Sequence, residues 1–287
     1  MKSINPPENF INLSIADVVC RLVFERSELY KNLKKEYPPD KKLLQSPFLK
    51  FKMIGKTNFV NNLSRYKIIT RGKIKEGIAY YFPPENYTKT LTRNIKFGLS
   101  VLIQYFLLDK QILLIHASST IYKGKAYLFS GQSGAGKSTL ISNFPKKNVL
   151  SDDITIIRKI NGTFYVYSSP FDYKKFPFIS QRKVPLAGIF FLQKALKTKI
   201  QALNFLEALN LLFYNTNLIY YGSIVNKALK RKKYIRFKKI VSFKTEEKAL
   251  WGKTLDRIYR LIFNMISVTP SKKLFCAKKL NIKDIFI

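Results

Sequence analysis

Residues 131–139 read Gly-Gln-Ser-Gly-Ala-Gly-Lys-Ser-Thr and contain the pattern G-x-x-x-x-G-K-[ST], which is typical of a phosphate-binding loop. Its glycines allow consecutive backbone N–H groups to converge on a phosphate, because no Cβ blocks the approach. Lys137 is expected to reach the β- and γ-phosphates and the Ser138 hydroxyl to bind Mg²⁺, whereas Thr139 comes one position too late for the metal. The predicted nucleotide-binding residues are Gly131, Gln132, Ser133, Gly134, Ala135, Gly136, Lys137, Ser138 and Thr139.

The segments on either side of this loop have the character that the motif requires. Residues 125–130 form a short apolar run rich in strand-forming residues, and residues 138–144 have apolar side chains at helical spacing. The expected order is strand, glycine loop and helix, with the positive end of the helix directed at the phosphates. A plain turn between two elements is the alternative, and this context makes it the weaker one.

Two adjacent acids follow the loop at Asp152 and Asp153, after a short apolar run that ends at Leu150. If this run forms a strand that returns beside the loop strand, the carboxylates would lie near the phosphates. One carboxylate would then hold Mg²⁺ together with Ser138, and the other would take a proton from an attacking hydroxyl. An ordinary Asp-Asp turn is the alternative interpretation.

His116 is the only histidine of the chain and ends the apolar run 111–116. A single histidine after such a run is more often structural than catalytic. However, residues 113–117 and 126–129, with a turn at 122–124, are predicted to form a β-hairpin. That hairpin would bring the imidazole of His116 close to the phosphate loop, so His116 is a candidate catalytic residue.

Taken together, these segments resemble the kinase domain of HPr kinase/phosphorylase and its serine-kinase-like relatives. The resemblance extends over about residues 110–215 and includes the histidine, the loop and the acid pair in the order typical of that family. The matching segments are Leu-Ile-His116-Ala-Ser, Gly131 to Ser138, Leu150-Ser-Asp-Asp153, Ser169-Pro-Phe171 and Pro185 to Leu192.

This resemblance implies an α/β fold with a P-loop core, shared with ATP-dependent phosphoenolpyruvate carboxykinase. It also implies ATP and Mg²⁺ as cofactors and a hydroxyl group as the phosphoryl acceptor. Lys137 and Ser138 would keep their loop roles, and His116 would face the phosphates. Asp152 and Asp153 would divide the work of base and metal ligand, and the sequence leaves open which residue does which.

The chain also departs from this family. HPr kinases carry a glutamate-arginine-glycine signature after the acid pair, and this sequence lacks it; residues 181–188 read Gln-Arg-Lys-Val-Pro-Leu-Ala-Gly instead. Neither HPr as the substrate nor phosphorylase activity is therefore expected. The chain is closer to divergent relatives found beside biosynthetic genes, some of which phosphorylate serine on precursor peptides.

Other phosphate-loop classes lose support on the same residues. No aspartate has a glycine three positions later, and Asn226-Lys-Ala-Leu229 lacks the final acid of the guanine-binding motif, which disfavours a GTPase. The Leu-Ser-Gly-Gly signature of transporter ATPases is absent.

Two domains are predicted: a small, mainly β N-terminal lobe over residues 1–87 and the kinase domain over residues 88–287. The lobe is inferred from short β-prone runs separated by turn residues, at 18–24, 48–53, 66–70 and 77–82. The kinase domain is expected to contain helices over 88–109, 204–228 and 246–266. The apolar stretch 97–108 is too short to span a bilayer. The first residues are not expected to form a secretory signal.

The charge balance is the second informative feature of the sequence. The chain has 52 Lys and Arg residues and only 17 Asp and Glu residues, which gives a net charge of +35. A solvated basic face, an acidic protein or peptide partner, and nucleic acid at Lys227–Lys239 are the interpretations, in decreasing order of support. The two cysteines, Cys20 and Cys276, cannot form a disulfide framework, which favours a reducing cytoplasm.

The sequence therefore predicts a cytoplasmic, ATP- and Mg²⁺-dependent kinase that phosphorylates a serine-type hydroxyl of a peptide or protein. The sequence does not give the oligomeric state, although relatives that form hexamers make a homo-oligomer plausible. The alternative is a nucleotide-binding module or degenerate kinase whose basic surface binds a protein or nucleic-acid partner.

Overall fold

The computed structural model divides the chain into two compact units, Met1–Leu102 and Ile103–Ile287. It describes residues 9–25, 27–37, 47–55, 66–71, 74–81, 96, 99–100, 103–172, 182–216, 245–277 and 285–286. The predicted boundary between residues 87 and 88 and the basic run Lys227–Lys239 lie outside these residues. No helix in the described part of the chain is both long and apolar enough to cross a membrane.

The first unit contains a five-stranded sheet with the order β1-β2-β3-β5-β4. Its elements are β1 Asn9–Ile15, β2 Val18–Phe24, α1 Ser27–Glu36, β3 Leu49–Gly55, β4 Tyr66–Arg71 and β5 Ile74–Tyr81. The pairs β1–β2 and β4–β5 are antiparallel, whereas β3 runs parallel to both β2 and β5. All four predicted strands are present.

Sequence reasoning missed two elements of this unit, β1 and α1. The turn between β1 and β2 is made by Ala16 and Asp17, both at positive φ (49° and 64°), a conformation for which alanine gives no local signal. Helix α1 buries Leu29 and Leu33, which are spaced four residues apart on one face. The mainly β character predicted for this region agrees with its described residues.

The second unit is built on an eight-stranded sheet. Its strands are β6 Ile112–Tyr122, β7 Lys125–Ser130, β8 Val149–Ser151, β9 Ile154–Ile160, β10 Thr163–Tyr167, β11 Lys183–Lys194, β12 Lys199–Ala202 and β13 Ser271–Cys276. Besides the helical residues 103–107, its described helices are α2 Lys137–Ile141, α3 Phe205–Tyr214 and α4 Thr245–Val268. The described part of the chain is thus mixed α/β, with more strand than helix.

The strand pairings of the second unit form a closed circuit, β10-β9-β6-β7-β11, because β10 also pairs with β11. The long strands β6 and β11 make this closure. The first half of β6 pairs with β9, and its second half pairs with β7. Strand β11 pairs with β10 at its start and with β7 and β13 farther along. Strand β6 is consequently buried along nearly its whole length.

The hairpin predicted around residue 123 is present, but its first arm differs: residues 117–122 pair with β7, whereas residues 113–116 of the predicted arm pair with β9. Strands β6 and β7 are antiparallel, with Tyr122 opposite Lys125. Lys123 and Gly124 form the two-residue turn at φ 47° and 74°, the geometry that suits the twist of a hairpin.

The predicted helices are found with different lengths. The helix expected over 138–144 spans Lys137–Ile141 and ends in a turn, since Pro145 restricts the backbone of Phe144 before it. The helix expected over 246–266 is present as α4. Helix α3 covers the first part of 204–228, whose residues 217–228 lie outside the described residues. Of the helix expected over 88–109, residues 103–107 are described as helical and are followed by a 3₁₀ turn at Leu108–Lys110.

One prediction about strand order is wrong. Strand β8, which precedes the acid pair, is predicted from the sequence to lie beside β7 but pairs with β6, with Ser151 opposite Ser119. The reason is that both edges of β7 are already occupied, one by β6 and the other by the parallel strand β11. The acids are therefore positioned across β6 from the loop strand.

Candidate functional site

The glycine loop connects the end of β7 to the start of α2. At Gly131 a Cβ atom would lie 3.0 Å from the Leu192 carbonyl oxygen and 3.1 Å from the Ala135 Cβ, so the packing against β11 excludes a larger residue. Gly136 precedes α2 at φ 102°, a conformation that L-residues rarely adopt. The middle of the loop, residues 132–134, is exposed to solvent.

Lys137 is folded back onto this loop. Its Nζ donates hydrogen bonds to the carbonyl oxygens of Gly131 (2.7 Å) and Gln132 (3.1 Å). The residue is only 7% exposed, and burial lowers the pKa of Lys137 to about 8, an effect that the negative charge of Asp153 partly opposes. The ammonium group is thus held in the loop and within the electrostatic influence of the acid pair.

Ser138 and Thr139, the next residues of α2, are exposed. The hydroxyl that sequence reasoning assigned to a metal is therefore accessible from solvent. The helix itself has only five residues, so it extends little beyond the loop.

His116 lies in the middle of β6, opposite Ile154 of β9. Its backbone N–H donates to the Asn215 carbonyl at 2.7 Å. Asn215 directly follows α3 and lies at the part of the β6 edge that β7 does not cover. The imidazole Nδ1 lies 3.3 Å from Oδ1 of Asp153. The structure therefore brings together the histidine and the second acid, which sequence reasoning selected independently.

The acid pair occupies the turn between β8 and β9. The Ala117 N–H donates to the Asp153 carbonyl (3.0 Å), and the Ser118 hydroxyl donates to the Asp152 carbonyl (2.8 Å). Both acids are thereby attached to the strand that carries His116. They differ in access, because Asp152 is 4% exposed whereas the Asp153 side chain is 21% exposed.

A third acid at this turn, Asp172, was missed by sequence reasoning. It accepts hydrogen bonds from the Ser151 hydroxyl (2.7 Å) and from the Asp152 N–H (3.1 Å). Burial raises the pKa of Asp172 well above its ordinary value, and the nearby charge of Asp152 raises it further. The only sequence signal is its position directly after Ser169-Pro-Phe171, one of the segments that resemble the kinase family.

The predicted residues thus separate into two groups. His116, Lys137 and Asp153 are linked by contact or by charge, with Asp152 beside them on the same turn. The exposed loop residues 132–134 contact that group through the Gln132 carbonyl, which accepts from Lys137. Among the described hydrogen bonds, the hydroxyls of Ser138 and Thr139 make none to it. Within the described residues, no set of three or more His, Cys, Asp or Glu side chains is arranged to hold a metal ion.

A surface cleft of about 370 Å³ lies elsewhere in the second unit. It is formed by the start of α3, the end of α4 and the start of β13. Its described lining residues include no titratable side chain, so they offer no group for acid–base chemistry. Its lining residues are Leu203, Phe205, Ala208, Ile266, Ser267, Val268, Thr269, Pro270 and Ser271.

Comparison with known proteins identifies a family for the chain. The model of the family described as SynChlorMet cassette protein ScmC matches residues 88–244, more than half of the 287 residues. The match includes β6, the glycine loop, the acid turn and Asp172. No curated protein matches the chain. The chain belongs to the ScmC family of SynChlorMet cassette proteins.

Proposed function

We propose that this protein is an ATP- and Mg²⁺-dependent kinase that transfers the γ-phosphoryl group to a serine-type hydroxyl of a peptide or protein. The observation that carries the proposal is the 3.3 Å contact between His116 and Asp153 beside the buried ammonium of Lys137. A phosphate-binding cation, a carboxylate and a histidine are the groups that phosphoryl transfer to a hydroxyl uses. They come from separate parts of the sequence.

The loop residues fit a polyphosphate. Residues 132–134 are accessible, and Lys137 presents a cation whose present hydrogen-bond acceptors are two loop carbonyls. Phosphate oxygens are stronger acceptors because they are charged, so an entering nucleotide would replace these carbonyls. Its negative charge would also raise the pKa of Lys137 from about 8 and keep the ammonium protonated.

The oxygen donors on α2 and at the acid turn would suit Mg²⁺ that arrives with a nucleotide. The hydroxyl of Ser138 and a carboxylate of Asp152 are oxygen donors, which Mg²⁺ prefers, and Mg²⁺ usually takes one or two carboxylates together with phosphates and waters. When bound, the ion would neutralise charge on the phosphate oxygens.

We assign the proton-accepting role to Asp153 and the metal-side role to Asp152. Asp153 is the more exposed of the two, and its Oδ1 is in contact with the imidazole of His116. In the proposed reaction the serine hydroxyl gives its proton to Asp153 as its oxygen bonds to the γ-phosphorus. The bond from that phosphorus to the departing ADP breaks, while Lys137 balances the growing negative charge.

The same geometry supports a core related to HPr kinase and phosphoenolpyruvate carboxykinase. The supporting features are the strand–loop–helix order from β7 to α2 and the position of His116 on the neighbouring strand. The proposed partner is a serine-bearing peptide or protein. The net charge of +35 favours a partner that carries negative charge.

A transfer assay with matched lysine variants tests the proposal. The full chain is incubated with Mg²⁺, ATP labelled at the γ-phosphate and a set of acidic peptides that contain serine, threonine or neither. Lys137→Ala is expected to lower transfer by a factor of ~10³, whereas Lys147→Ala, which removes an exposed lysine after α2, is expected to leave it unchanged.

The outcomes separate this proposal from its alternative. Labelled serine peptide with wild type and Lys147→Ala, but not with Lys137→Ala, supports the kinase. ATP binding without any labelled product would support a nucleotide-binding module whose basic surface engages a partner. A chain that binds no ATP at all would contradict both functions.

A further inference from the structure

Asp172 receives two hydrogen bonds from the turn that carries the acid pair. The Ser151 hydroxyl donates to Oδ1 at 2.7 Å, and the Asp152 backbone N–H donates to Oδ2 at 3.1 Å. Each carboxylate oxygen therefore binds a different donor of the turn. The serine hydroxyl also accepts a longer hydrogen bond from the Asp153 N–H, at 3.4 Å. The backbones of both acids are thus connected to Asp172, one directly and the other through Ser151.

The segment that carries Asp172 is itself attached to the strand that carries the acids. The Ser169 N–H donates to the Leu150 carbonyl at 3.1 Å, and the Phe171 N–H donates to the Ser169 hydroxyl at 3.2 Å. The Phe171 side chain is only 1% exposed and anchors the residue before Asp172 in the core. The backbone that carries Asp172 is therefore fixed relative to the turn to which its side chain hydrogen-bonds.

An aspartate suits this arrangement better than its amide. The hydrogen bonds from Ser151 and Asp152 lower the pKa of Asp172 and so oppose the effect of burial. In the ionised carboxylate both oxygens accept, whereas an asparagine side chain has a single acceptor oxygen and an NH₂ group that donates. With asparagine at position 172, the NH₂ group cannot accept from the Ser151 hydroxyl, so that hydroxyl would have to rotate and accept instead. The exchange thus weakens both hydrogen bonds to the turn, because hydrogen bonds to a carboxylate are roughly twice as strong as neutral ones, and it leaves the side-chain volume nearly unchanged.

We propose that Asp172 is a positioning residue that holds the Ser151–Asp153 turn in the conformation that presents Asp152 and Asp153 to the nucleotide. This inference rests on the proposed phosphoryl transfer for its functional consequence. Its structural part, the ordering of the turn, does not depend on any activity. The two parts are tested by separate measurements.

Hydrogen exchange of the ligand-free full chain tests the structural part. Asp172→Asn is expected to accelerate amide exchange at least fivefold in the peptide that contains Ser151–Asp153. Asp256→Asn is the matched control, because Asp256 is exposed and pairs with Arg260 on α4, away from the turn. Unchanged exchange in folded Asp172→Asn would overturn the proposal whether or not the protein binds ATP.

Nucleotide binding tests the functional part, with fluorescently labelled ADP as the probe. In EDTA, Asp172→Asn is expected to keep the wild-type affinity within about twofold, because the loop contacts are intact. The gain in affinity on adding Mg²⁺ is expected to fall about tenfold. A general loss of stability would weaken nucleotide binding equally in EDTA and in Mg²⁺. A loss of affinity confined to the Mg²⁺ condition therefore identifies a positioning role for Asp172.

Ser151→Ala provides a second variant if Asp172→Asn does not fold. It removes one of the two donors and is expected to reduce the Mg²⁺-dependent gain less than Asp172→Asn. The double variant should be no worse than Asp172→Asn alone, because both changes break the same network. A wild-type Mg²⁺-dependent gain in these variants, or strictly additive losses, would overturn the role of Asp172. An absence of nucleotide binding in the wild type would instead contradict the proposed function.

Discussion

His116 Nδ1 lies 3.3 Å from Asp153 Oδ1, although the two residues occur on different strands of the sheet and on opposite sides of the glycine loop in the sequence. The contact results from the antiparallel pairing of β6 with β9, in which His116 stands opposite Ile154. This pairing therefore places Asp153, the residue before Ile154, next to the imidazole of His116.

The contact between these two residues predicts coupled effects on phosphoryl transfer. Asp153→Asn is expected to lower kcat by a factor of ~10² or more, because it removes the proposed proton acceptor. His116→Gln is expected to lower kcat less, and the double variant should be close to Asp153→Asn alone. Steady-state kinetics of the three variants check this, with Asp256→Asn as a charge-matched control. Additive losses would show that the residues act independently.

The two acids are expected to differ in their dependence on Mg²⁺. Asp152→Asn should sharply weaken Mg²⁺-dependent nucleotide binding, whereas Asp153→Asn should leave it nearly unchanged while abolishing most transfer. Titration of Mg²⁺ against both variants at fixed nucleotide concentration measures this. Equal metal dependence of the two variants would contradict the division of roles between Asp152 and Asp153.

Burial of Lys137 predicts a pH-dependent stability difference. Its pKa in the folded chain, about 8, lies below the ordinary 10.5, so the unfolded chain binds more protons between these pH values. Wild-type stability should therefore rise with pH in this window, relative to a variant without the amine. We expect the free energy of unfolding of Lys137→Met, relative to wild type, to decrease by about 2 kcal/mol between pH 7 and pH 10.

Urea denaturation at several pH values measures this difference. The comparison with wild type cancels the titration of the other lysines, and Lys147→Met controls for the loss of an exposed amine. A constant difference across the pH range would mean that the ammonium of Lys137 is fully solvated in the folded chain.

The packing of the glycine loop predicts opposite effects of alanine at two glycines. Gly131→Ala is expected to cost about 1–3 kcal/mol, because its Cβ would crowd the Leu192 carbonyl at 3.0 Å. Gly252→Ala meets no atom within 4 Å in α4 and should stabilise the chain by about 0.5–1 kcal/mol. Thermal unfolding of both variants provides the measurement. Equal stability of Gly131→Ala and wild type would mean that β11 does not constrain the loop.

The net charge of +35 predicts a different salt dependence for the two substrates. The apparent affinity for an acidic peptide should fall steeply with salt, because exposed charges are screened beyond about 10 Å at 0.1 M. Nucleotide affinity should change less, since Lys137 is buried in the loop. Kinetics at several salt concentrations test this. If the peptide affinity does not change with salt concentration, the excess of basic residues does not contribute to substrate binding.

The direction of the reaction is a related expectation. Because the chain lacks the glutamate-arginine-glycine signature, we expect a kinase that works only forward. Phosphorylated peptide incubated with inorganic phosphate should therefore release no pyrophosphate. Efficient phosphate-driven dephosphorylation would contradict this expectation and indicate a bifunctional enzyme like HPr kinase/phosphorylase.

Local sequence patterns are sufficient for the elements next to the loop. The Lys123-Gly124 turn, the strand that ends at Ser130 and the glycines of the loop each depend on residues that are adjacent in the chain. Backbone conformation at such positions is decided by short-range sterics, which residue types encode directly. The candidate residues His116, Lys137 and Asp153 can therefore be chosen from residue types and their spacing alone.

Only the tertiary structure decides how these residues meet. Strand β8 pairs with β6 instead of β7 because the long-range pairing of β7 with β11 occupies that edge. Asp172 joins the acid turn through hydrogen bonds to Ser151 and Asp152, which no local pattern announces. Strand order and side-chain networks depend on competition among segments distant in the chain, so a single sequence identifies the chemical groups but not their arrangement.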